Sequence, residues 1–102
     1  MAKFYWERHP DGPFVTLISV ATSYCHPEIG YDEYDSLKRR AGKRENDPEM
    51  RTFKTELREA IRDPSRLPGD ELYTNVQFDD GSDEAFLRRL WRDLYGDEPV
   101  EA

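Results

Sequence analysis

Residues 14–22, FVTLISVAT, form the longest apolar run of a chain in which 36% of the residues are charged. The run is nine residues long and is interrupted only by Thr16 and Ser19. Burying it is the first demand this sequence makes of any fold. Five of its nine residues are β-branched, which predicts a buried strand. Just before it, His9-Pro10-Asp11-Gly12-Pro13 concentrates turn-forming residues. Before that, residues 4–8 alternate, with Phe4 and Trp6 on one side. Together these segments predict a β-hairpin.

Helical periodicity takes over further along. Tyr31, Tyr34, Leu37 and Ala41 recur at three- and four-residue intervals, with acids (Asp32, Glu33, Asp35) first and bases (Lys38, Arg39, Arg40) last, an order that suits the helix dipole. Gly42 follows as a natural terminator. A second helix has a cap at Asp47, Pro48 at its first position, and one apolar stripe of Met50, Phe53, Leu57, Ala60 and Ile61. Pro64 stops it. Leu72, Thr74, Val76 and Phe78 then alternate with Tyr73, Asn75 and Gln77, which predicts a strand with one core face and one polar face. Ser82 caps a last helix whose stripe is Phe86, Leu87, Leu90, Trp91, Leu94 and Tyr95, closed by Gly96.

The expected architecture is therefore α+β: a small antiparallel sheet of about three strands, in the order β-β-α-α-β-α, with helices packed on one face. A chain of 102 residues holds one such domain, expected over 1–96, with 97–102 as a frayed tail. Two Trp, six Tyr and five Phe give a small core enough area despite the lean apolar content. The single Cys25 cannot form an intramolecular disulfide, so folding needs no oxidising compartment. No apolar run reaches transmembrane length, and the N-terminus, where Lys3 precedes aromatics and charges, reads without a signal peptide. The cytoplasm is the expected location.

Charge is distributed unevenly. Basic and acidic residues balance over 1–27 and over 28–69, while 70–102 holds ten acids against three Arg, so the whole net charge of −7 arises there. This acidic field favours basic partners and repels phosphate backbones. The carboxylates Asp70, Glu71, Asp79, Asp80, Asp83 and Glu84 bracket the last expected strand, and Tyr73, Asn75 and Gln77 lie on its polar face. An aromatic and amide surface rimmed by acids suits a cationic protein. The competing explanation is that the acids only keep a small domain soluble.

Other candidates are thinner. Residues 38–44 carry five cations, Lys38, Arg39, Arg40, Lys43 and Arg44, which form either a phosphate-contacting patch or a solvated helix end. No recognisable nucleic-acid-binding motif accompanies them, so nucleic acid is the less favoured partner. Cys25 and His26, with His9, are the only thiol and imidazole groups in the chain, too few for a zinc set and without the orienting third group that a catalytic cysteine needs. Residues 79–84 (DDGSDE) lack the ligand alternation and closing Glu of a calcium loop. Glycines occur singly, without a phosphate-binding loop. No enzyme, metal or cofactor is expected. The chain reads as a non-catalytic protein-binding module, most concretely an immunity- or antitoxin-like inhibitor masking a basic toxin domain such as a nuclease. The alternative is a nucleic-acid-associated accessory protein using residues 38–44. An uncovered sheet face or edge would also permit a homodimer.

Overall fold

The long apolar run is buried as the sequence demands, but as a helix. The computed structural model describes residues 4–25, 31–42 and 47–100. Its elements are α1 (Tyr5–Arg8), α2 (Val15–Cys25), α3 (Tyr31–Gly42), α4 (Pro48–Arg62), a 3-10 turn over Pro64–Arg66, α5 (Glu71–Val76) and α6 (Asp83–Tyr95). Among the described residues there is no strand. The expected α+β architecture and its three-stranded sheet are therefore replaced by an all-helical one.

Helix α2 is the hub. It packs against α1, α3, α4 and α5, while α3 and α4 also reach α6. Leu17, Ile18, Val20, Ala21 and Thr22 are all buried along it. Because α2 is covered on so many sides, its polar side is only a narrow strip of Thr16, Ser19 and Ser23, with no charge to mark it. A short, largely apolar helix and a buried strand look alike by periodicity, and β-branched content tipped the expectation to strand. Packing overrode that propensity. The hydroxyls are accommodated locally, with Thr22 Oγ1 donating to the Ile18 carbonyl at 2.7 Å and Ser23 Oγ to that of Ser19 at 3.0 Å.

The start of α2 is capped from a distance. No acidic residue lies in its first turn, and Phe14 enters at a φ of 60°, a left-handed value unusual for a bulky side chain. The Glu56 carboxylate of α4 accepts from Leu17 N at 2.7 Å and also faces the Thr16 N–H. These are the second- and third-position donors that a local cap residue would serve.

The other two expected strands fail for related reasons. At the N-terminus Tyr5 turns inward and is buried, while Phe4 and Trp6 stack at 4.7 Å outside it. Tyr5 Oη donates to the Pro13 carbonyl at 2.8 Å, and a Cβ on Gly12 would lie 2.5 Å from the Tyr5 hydroxyl. The expected turn is present, closed by Gly12 N to the His9 carbonyl at 2.9 Å, but it joins two helices. In residues 72–78 the alternation concealed a four-residue spacing: Leu72 and Val76 share the buried side of α5, and Thr74 is exposed.

The signed helices form where expected. Asp47 caps α4 by accepting from Met50 N at 3.3 Å, and all five stripe residues are buried. Ser82 Oγ accepts from Ala85 N at 3.1 Å to cap α6, and Gly96 closes it at a φ of 61°. After α6 the chain turns back: Trp91 Nε1 donates to the Glu98 carbonyl at 2.7 Å, Lys54 pairs with Glu98 at 2.5 Å, and Val100 packs on the core.

Burial raises the pKa of Glu56 above its ordinary value of 4.5, against the pull of the N–H groups it accepts from. Its ionised form is thus less favoured in the folded chain than in the unfolded one. The associated stability is full below the unfolded carboxylate range and declines as pH rises through the folded pKa. Glu56→Gln, which keeps an acceptor, should flatten this decline in urea denaturation series from pH 4 upward, whereas Glu56→Ala should cost about 1 kcal/mol by removing the cap.

Candidate functional site

Residues 70–84, expected to bracket and line a strand, instead form α5, the loop after it and the first residues of α6. Tyr73 is 53% exposed, the most exposed large hydrophobic described, and Gln77 is exposed at the left-handed C-cap of α5, with a φ of 57°. Asn75 is different. It is only 7% exposed; its Oδ1 accepts from Tyr5 N at 3.4 Å and its Nδ2 donates to the Glu71 carbonyl at 2.7 Å. Its side chain ties α5 to the start of α1. In a strand Tyr73 and Asn75 would share a face; in a helix a two-residue step carries them about 200° apart.

The six carboxylates divide into two sets. Glu71 takes Arg8 Nη2 at 2.7 Å, Asp80 accepts Arg89 through two nitrogens at 2.6 and 3.0 Å, and Glu84 lies 3.5 Å from Arg88. Asp70, Asp79 and Asp83 have no ion-pair partner among the described residues. Asp79 and Asp83 line a cleft of about 400 Å³ together with Tyr73, Phe78, Gly81 and Ser82. Burial first, and the nearby charge of Asp70 second, push the Asp83 carboxyl above its ordinary pKa.

Phe78, Gly81 and Ser82 were not expected at this surface. Phe78 is buried, as its place on the expected core side implied, and it borders the cleft from there, packed between Tyr73 (edge-to-face, 5.2 Å) and Phe86 (stacked, 4.6 Å). Gly81, at a φ of 94°, makes the bend that opens the cleft beside it. The Glu84–Arg88 pair was readable from its four-residue spacing; Arg8 and Arg89 as partners of Glu71 and Asp80 were not, being set by tertiary packing.

The basic segment is engaged internally where it is described. Lys38 pairs with Asp35 at 3.3 Å, Arg39 donates to Ser36 at 2.9 Å, and Arg40 reaches Asp47 at 2.9 Å and Glu49 at 3.1 Å. Lys43 and Arg44 lie outside the described residues, as does His26. Arg40 also borders a second cavity of about 280 Å³ with Arg51, Lys54 and Tyr95. Because no sheet is described, the exposed-edge route to a homodimer has no structural footing.

Cys25 sits among Arg89, Asp80 and Asp93, where burial pushes its thiol up to about 12 despite the nearby guanidinium. Such a thiol is not activated as a nucleophile. His9 is exposed in the turn between α1 and α2. Among the described residues no group of three His, Cys, Asp or Glu is placed to hold a metal ion, and no helix is long and apolar enough to cross a membrane. No family model, curated protein or solved structure matches this chain.

Two outcomes follow from this geometry. Asp80→Ala, which removes the two-nitrogen partner of Arg89 and leaves it only Tyr34 Oη at 3.3 Å and Asp93 at 3.8 Å, should lower unfolding stability by about 1 kcal/mol, whereas Asp83→Asn should leave it unchanged or slightly raised at neutral pH. Cys25 should react with iodoacetamide far more slowly in the native protein than in urea, as read by mass spectrometry.

Proposed function

We propose that this chain is a non-catalytic acidic protein-binding module, working in the cytoplasm, that docks a cationic protein on the surface formed by residues 70–84. Its most concrete form is an immunity- or antitoxin-like inhibitor covering the basic substrate site of a toxin such as a nuclease. The supporting observation is that half-exposed Tyr73 stands at a cleft with Asp79 and Asp83, and that these two acids and Asp70 lack internal partners among the described residues. Unpaired acids around an aromatic anchor steer a basic partner and then hold it. Glu71, Asp80 and Glu84, already paired with Arg8, Arg89 and Arg88, belong to the fold more than to the docking surface.

The nucleic-acid reading is weaker because Lys38 and Arg40 already pair with carboxylates of this chain, and the net charge of −7 opposes a phosphate backbone.

Reversal of Asp70, Asp79 and Asp83 to Lys is the direct test, with Asp80 left intact to keep Arg89 paired. The wild-type chain, used as bait on extracts of its native host, should retain a basic protein. Association of the purified pair should slow with added salt and fall by about tenfold in rate in the reversed variant, at unchanged helical content. Retention of nucleic acid instead, or an association rate indifferent to the reversal, would contradict the reading.

A further inference from the structure

We propose that the cleft between α5 and the start of α6 seats a single arginine side chain of the partner. This rests on the protein-binding reading above and names the chemistry that the surface recognises.

Size comes first. A volume of about 400 Å³ is at the small end for a ligand pocket, enough for one long side chain and too little for a folded element. Next come the walls. Tyr73 and Phe78 meet edge-to-face at 84°, and Phe78 is braced by Phe86, stacked at 3°. Aromatic side chains held this way lose little freedom when a ligand arrives. On the same cleft stand the carboxylates of Asp79 and Asp83. A guanidinium matches both features: it is planar, weakly hydrated, stacks on rings and forks onto carboxylates. An ammonium supplies charge without the fork or the flat face.

The chain builds the same arrangement for itself next door. Arg89 forks onto Asp80 while its guanidinium carbon lies 5.5 Å from the Phe86 ring and 5.7 Å from the Tyr34 ring. Phe86 is thus an aromatic neighbour of a filled arginine seat and also the brace behind Phe78 in the unfilled one. Every other carboxylate of residues 70–84 that has a partner has an arginine. Asp83 is partly desolvated and feels Asp70, so a cation in the cleft counters the like charge of Asp70 and offsets the desolvation by direct attraction.

Amide NMR titration of the full chain tests this with three probes: a capped Gly-Arg-Gly peptide, the same peptide with citrulline replacing arginine, and octa-lysine. The arginine peptide should shift the amides of Tyr73, Phe78, Gly81 and Asp83 saturably, and bind at least about tenfold more tightly than the uncharged citrulline peptide. Tyr73→Ala and Asp83→Asn should each weaken it by about tenfold, and Glu33→Gln, on the exposed side of α3, should not. Equal binding of the citrulline peptide, or shifts centred away from the cleft, would overturn the arginine seat. If octa-lysine still maps to residues 70–84, only the arginine seat falls; if neither cation binds there, the protein-binding reading falls with it.

Discussion

Helix α2 packs against four other helices, yet its sequence supplies no cap for its own first turn. Phe14 leads into it through a left-handed backbone, and the N–H groups that follow are met by Glu56, 39 residues away on α4. Burying those donors unmet would cost more than a typical hydrogen bond contributes, so α2 and α4 are coupled: neither reaches its place without the other. The coupling has its own cost, since a partly buried carboxylate is held ionised less readily than in water. Around this pair the remaining helices are arranged by side-chain volume, with Leu37, Phe53, Leu72, Phe86 and Leu90 all fully buried.

That arrangement determines what faces outward. Because α2 takes the inner side of α5 through Leu72 and Val76, Tyr73 is turned to solvent, while Asn75 is drawn in to meet Tyr5. The loop after α5 then carries Phe78 back onto Phe86, and Gly81 bends the chain into the capped start of α6. The cleft is thus a product of how a short helix and a capped helix are joined, with the acids of both ends falling beside one exposed ring. The ion pairs of Arg8, Arg88 and Arg89 engage half of the six carboxylates and leave Asp70, Asp79 and Asp83 without an ion-pair partner among the described residues.

Much of α4 and α6 was legible, because Asp47-Pro48, Ser82 and Gly96 act through local backbone chemistry and their stripes have one polar side to stand against. The sheet was misread where that contrast is missing. Residues 14–22 carry only Thr16, Ser19 and Thr22 as polar groups and no charge, too little contrast to mark a period, and their cap lies on another helix. Residues 72–78 span too few turns for a period of 3.6 to be distinguished from one of two, since Leu72 and Val76 satisfy both. The misreading carried into the surface: the acids were correctly located in sequence, but assigning one face to Tyr73, Asn75 and Gln77 followed from strand phase. Tyr73 and Gln77 are exposed in α5 as well, four residues apart, and Asn75 is the one that phase displaced.

Backbone chemical shifts and amide exchange across residues 14–25 probe the burial of α2 most directly. Helical Cα shifts from Val15 to Cys25, with the amides of Ile18, Ala21 and Thr22 exchanging only through global unfolding, are what a central buried helix requires. Extended-type shifts over 14–22, or exchange there as fast as in the single turn of α1, would contradict it and remove the basis for every surface placed around it.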